Sequence, residues 1–147
     1  MKGRIALVLL FCWRVGGAGE GVVHHDLKVR LDPKAHAIEV EDATSLRRFR
    51  VHGDLAVAGA RLVGPVEGGA VPLKEYEQEG DGAIRFKGTI HHALEEESEE
   101  YARSFSSTAG IISEEGVFLG GASGWIPMAG DEMVTFTLEV DLPKEWD

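Results

Sequence analysis

From Val22 onward apolar residues recur at every second position, and that period of two restricts the chain to strands with one buried and one wet face. In the first run Val23, His25, Leu27, Val29 and Leu31 share one side, while His24, Asp26, Lys28 and Arg30 share the other. Asp32-Pro33-Lys34 then supplies a turn, because Pro fixes φ and an Asp side chain can bond the backbone that follows it. Ala37 to Val40 is expected to return as a partner strand. Two further strands, Leu46 to Val51 and Leu55 to Val63, flank His52-Gly53-Asp54, and a short one follows at Val71 to Lys74. Ile84, Phe86, Gly88 and Ile90 alternate against Arg85, Lys87, Thr89 and His91. The last long run puts Val134, Phe136, Leu138, Val140 and Leu142 on one side, with Met133, Thr135, Thr137, Glu139 and Asp141 on the other.

Gly64-Pro65, Gly68-Gly69 and Glu79-Gly80-Asp81-Gly82 punctuate these runs as turns. Between His92 and Gly110 the alternation is lost, which predicts a short helix or an exposed loop around the acidic run Glu95 to Glu100; Val117-Phe118-Leu119 reads as a brief buried strand. No helical stretch of ordinary length competes, so the fold class is all-β, an antiparallel sandwich or a curved open sheet. With 147 residues, 44% of them apolar, the chain has enough side chains for one core and one domain. Each fully buried Leu, Ile or Phe stabilises such a core by roughly 1.5–3 kcal/mol, so a charge at Val29, Phe86 or Leu138 is expected to be among the most damaging changes.

Residues 1–21 read differently. Lys2 and Arg4 precede an apolar run from Ile5 to Trp13, and Gly16-Gly17-Ala18 offers a small-residue cleavage zone, which together describe a signal peptide and an exported protein, periplasmic or secreted. The run is far shorter than the roughly 20 residues of a spanning helix. Membrane attachment would follow only if the segment stays uncleaved or if Cys12 is lipidated. Cleavage removes the only cysteine, leaving a domain held together by burial without a disulfide. A formal charge of −10 argues against a phosphate-tracking surface, so nucleic acid is not an expected partner.

Six histidines and many carboxylates raise the question of a metal. His24-His25 and His91-His92 are adjacent pairs on strands, so the members of each pair point to opposite faces and cannot share one ion. A site from different strands, such as His24 with His91, is the alternative; the plainer reading makes His25 and His92 partly buried sheet residues and the others surface groups. The run Glu95 to Glu100 lacks the Asp-x-Asp-x-Asp-Gly pattern of a calcium loop and reads as a solvated segment. Ser104, Ser106, Ser107 and Ser123 lack a nucleophile elbow, and Gly120, Gly121 and Gly124 do not open a helix that could cradle phosphate. No catalytic residue and no metal ligand are therefore assigned. Trp125, in its Gly-rich loop, is the one candidate for substrate contact, as a stacking platform or as a plug for the core.

The order of these segments resembles the amino-terminal β-domain of zinc aminopeptidases related to aminopeptidase N. His25 to Pro33 is similar to the opening strand of that family, and Phe86-Lys87-Gly88-Thr89-Ile90 to its strand before an inserted loop. Gly110-Ile111-Ile112, Trp125-Ile126-Pro127, Thr135-Phe136 and Leu142-Pro143 to Trp146 follow in the same order. The resemblance covers Val22 to Trp146 and implies a saddle-like domain that packs on a catalytic domain of the same polypeptide and helps shape its peptide-binding cleft. It also implies zinc for that parent, on a His-Glu-x-x-His helix absent from this chain. Leu119 to Pro127 lacks the Gln and Arg with which the family's loop helps grip a substrate. By this resemblance residues 22–147 form a β-domain incomplete at its C-terminal end; the alternative is a free-standing exported binding module.

Overall fold

The computed structural model describes residues 21–96, 106–130 and 132–146. The signal-like segment with Cys12, the part of the acidic run from Glu97 to Glu100, and Ser104 lie outside the described residues. The chain is all-β among those described. β1 (Val22–Asp32), β2 (Ala37–Thr44), β3 (Arg48–His52), β4 (Leu55–Ala58), β5 (Ala60–Val66), β6 (Leu73–Gln78) and β7 (Ile84–Thr89) are followed by two-residue strands β8 (Glu95–Glu96) and β9 (Ser106–Ser107). Then come β10 (Ile111–Ser113), β11 (Gly116–Phe118), a 3-10 turn at Gly121–Ser123 and β12 (Met133–Asp141).

A five-stranded sheet has the order β12-β1-β2-β7-β4, and a three-stranded one the order β3-β6-β5. Their inner faces share one core, with Leu27, Val29, Ile38, Val40, Leu55, Ile84 and Phe86 from the larger sheet and Phe49, Val51 and Tyr76 from the smaller. Phe49 and Tyr76 stack at 5.9 Å, and burial pushes the Tyr76 phenol up from its ordinary pKa. Every strand pair is antiparallel except β1 with β12, which run parallel with Leu27 beside Leu138 and Val29 beside Val140. At Asp32 the turn forms as its residues dictate: the Asp32 carboxylate accepts from Ala35 N at 3.2 Å and the Pro33 carbonyl from His36 N at 3.3 Å.

Several expected elements are corrected. Leu55 to Val63 is not one strand but two, divided at Gly59, whose φ of 83° lies where glycine is favoured; β4 joins the larger sheet and β5 the smaller. The short strand lies at Leu73–Gln78 rather than Val71 to Lys74, because pairing with β3 and β5 fixes it there. Between His92 and Gly110 the described residues include β8 and β9, which pair as a two-residue ladder, while the stretch 97–105 expected as a short helix or an exposed loop lies outside the described residues. β11 is not a fully buried strand: Phe118 is 58% exposed, while Val117 is half-buried against the core. Leu138 is only half-buried, which removes it from the set of most damaging positions shared by Val29 and Phe86.

Candidate functional site

Three regions carry polar chemistry: the loop around Trp125, the outer face of the larger sheet, and a seam of histidines. The loop folds back onto the smaller sheet. Arg50 and Met128 exchange both backbone hydrogen bonds at 2.8 and 3.2 Å, and His52 N donates to the Gly124 carbonyl at 2.8 Å. Gly124 has φ 67°, and a Cβ there would lie 2.6 Å from Leu73 Cδ2 and 2.8 Å from His52 N, so only glycine lets the loop approach so closely. Trp125 and Ile126 are consequently half-buried against the core and Pro127 is buried. Ser123 is buried with its hydroxyl donating to the Gly120 carbonyl at 2.7 Å, which engages its only proton within the 3-10 turn.

The outer face of the larger sheet is concave and encloses about 890 Å³. Successive strands bring alternating charge to it: Glu139 and Asp141 from β12, Lys28 and Arg30 from β1, Glu39 and Glu41 from β2, Arg85 and Lys87 from β7. Register sets opposite signs side by side, with Lys28 opposite Glu41 and Glu139, and Arg30 opposite Glu39 and Asp141. The resulting pairs include Arg85–Glu41 at 2.8 Å, Arg30–Asp141 at 3.4 Å and Arg30–Glu39 at 3.6 Å. Four cations meet four anions, so the lining of this concavity is neutral on a chain whose formal charge is −10. It presents no field for a polyanion or a polycation.

Histidines occupy the interior more than their sequence context indicates. His25 and Asp42 are both buried on the inner face, His25 Nδ1 donating to Asp42 Oδ2 at 2.7 Å, and neither His25 Nε2 nor Asp42 Oδ1 has a partner among the described residues. His52, expected at the surface, is fully buried; His36 is half-buried. The Asp54 amide donates to His52 Nδ1 at 3.1 Å, which makes Nε2 the protonated nitrogen; that N–H donates to His92 Nε2 at 2.9 Å. Burial holds the His52 pKa below 6.5, with His92 and Lys74 acting in the same direction and Asp54 against it. His36 and His91 stack with ring centroids 3.9 Å apart, and both Nδ1–H groups donate to the Ile112 carbonyl, at 2.6 and 3.3 Å. His36 sits at φ 54°, a conformation uncommon for a residue with a Cβ.

His24 and His91 are not brought together, because they lie toward opposite ends of the larger sheet; His24 Nδ1 instead pairs with Thr135 Oγ1 at 2.9 Å. Among the described residues no three His, Cys, Asp or Glu side chains converge to hold a metal ion. The zinc implied for the parent therefore does not fit the described part of this chain. Asp42 and His36 carry no motif, but Asp42 stands in the apolar row Ile38, Val40, and a carboxylate in a buried row is a signal that it has a partner there. Compared with family models, with curated proteins and with solved structures, the chain matches none in any of the three.

Proposed function

We propose that this chain is a non-catalytic β-domain that works by contact, the amino-terminal domain of an exported zinc metallopeptidase of the aminopeptidase N type. Zinc, peptide substrate and peptidase activity then belong to a catalytic domain of the same polypeptide outside this chain, and the β-domain helps shape its cleft. The observation that carries this reading is β12. Its apolar row Val134, Phe136, Leu138 and Val140 lies in register with the inner face of β1, yet it is only half-covered, and no described strand pairs with its other edge. Such an edge asks for a partner surface. Among the described residues the Ser123 hydroxyl donates to the Gly120 carbonyl and the Ser113 hydroxyl to the Gly116 carbonyl, not to a histidine.

The test is the reading frame beyond codon 147. A His-Glu-x-x-His within the next few hundred codons is the expected result, together with no turnover of an aminoacyl reporter by this chain alone. Turnover that persists after contaminating enzymes are removed would overturn the assignment as non-catalytic. A stop codon directly after Asp147 would favour a free-standing exported binding module, for which the concave face of about 890 Å³ is the observation in support. Trp125 lends less to that second reading, since the core covers part of its ring.

A further inference from the structure

We infer that the segment Gly110–Gly124 is a histidine latch, closed at neutral pH and released on acidification. Four histidines from three parts of the fold hold it. His92 N donates to the Gly110 carbonyl at 2.8 Å, the rings of His36 and His91 both donate to the Ile112 carbonyl, and His52 N donates to the Gly124 carbonyl at 2.8 Å. The His52 and His92 rings then bond each other, tying together the backbone positions that grip the two ends of the segment.

The ring–ring bond needs the lone pair of His92 Nε2 and the Asp54 bond needs that of His52 Nδ1, so the two bonds coexist only while both rings are neutral. A proton added at His52 Nδ1 would point an N–H at the Asp54 amide, and one added at His92 Nε2 would oppose the N–H of His52. Either event removes a hydrogen bond inside a buried site and leaves a charge there. The Asp54 carboxylate, 4.0 Å away and 68% exposed to water, offsets that charge only in part, and Lys74, whose ammonium donates to the Gly53 carbonyl at 2.6 Å, opposes it from β6. At the second pair, one charge on the stacked His36 and His91 rings is met by Glu115, while a second would place two cations 3.9 Å apart. Ser113 helps hold the Glu115 carboxyl below its usual pKa, though its single hydroxyl proton is shared with the Gly116 carbonyl at 3.2 Å. Lys34, from the turn that carries His36, is occupied by Glu114 and Glu145 at 4.0 and 3.8 Å.

A shared metal does not explain the same contacts. His52 Nε2 carries a proton and has no lone pair to give, and no third ligand converges among the described residues. Release would uncover Ile112, which is fully buried, and loosen the anchor of the chain that continues into Trp125 and Ile126.

Amide hydrogen exchange at about pH 7.5 and about pH 5, corrected for the intrinsic pH dependence of exchange, tests the latch. The protection of Ile112, Ser123 and Gly124 should fall at least about ten-fold more than that of Leu27 and Val29 in β1. His92→Gln keeps an oxygen acceptor for His52 at either pH and should remove most of that difference, whereas His24→Gln should leave it intact. Unchanged protection of the segment, an equal loss in β1, or a full response retained in His92→Gln would each overturn the inference.

Discussion

β1 and β12 lie side by side in register and carry the same alternation, yet they end in different surroundings. On β1 the inward residues Leu27 and Val29 are 0% and 5% exposed; on β12 their partners Leu138 and Val140 are only half-buried. Among the described residues β1 has a neighbour on each side, whereas β12 has one. Alternation in a sequence tells which face of a strand turns inward. It does not tell how much protein stands over that face, because cover comes from elements distant in the chain.

The largest effect should come from Leu27→Asp, which would strand a charge in the core between two strands and cost more than about 4 kcal/mol, enough to abolish cooperative folding by circular dichroism. Leu138→Asp, its neighbour in register, should cost only about 1–2 kcal/mol in urea unfolding, since water already reaches part of the site. Equal costs at the two positions would erase the contrast between the strands. Lowering pH sharpens the comparison from outside it, since neither strand carries His52. Its pKa is lower in the folded protein than the unfolded 6.5, so as pH falls below 6.5 the unfolded chain takes up protons first and stability declines, levelling once His52 itself is protonated. His52→Gln should flatten part of that decline in pH-dependent thermal unfolding. The smallest effect belongs to Arg30→Ala on the outer face, which removes exposed pairs with Glu39 and Asp141 and should cost less than about 1 kcal/mol.

The fold class and the long strands were legible because the period of two is strong in Val23 to Leu31, Ile84 to Ile90 and Val134 to Leu142. What those runs pair with was not: nothing in their pattern announces that the first and last strands lie parallel. Gly59 divides β4 from β5, yet it reads in sequence as a lone glycine in an Ala-rich run. The histidines show the same limit. Adjacency correctly implied that His91 and His92 face apart, and the structure sends one ring to His36 and the other to His52. Those partners lie 55 and 40 positions away, and no local pattern could name them. Trp125 was legible as plug or platform, and the close approach allowed by Gly124 leaves it half-covered.

The contact role proposed for this domain rests on the open edge of β12, and residue-resolved amide exchange on the chain alone at neutral pH tests that edge most directly. In a strand paired on one side, alternate amides face the neighbour and the rest face away. With an open edge, one alternate set of amides across Met133–Asp141 should be protected like β1 and the other should exchange at least about a hundred-fold faster. Uniform protection of both sets would contradict it, because it would mean that the chain already covers this edge with its own residues and leaves nothing there for a partner domain.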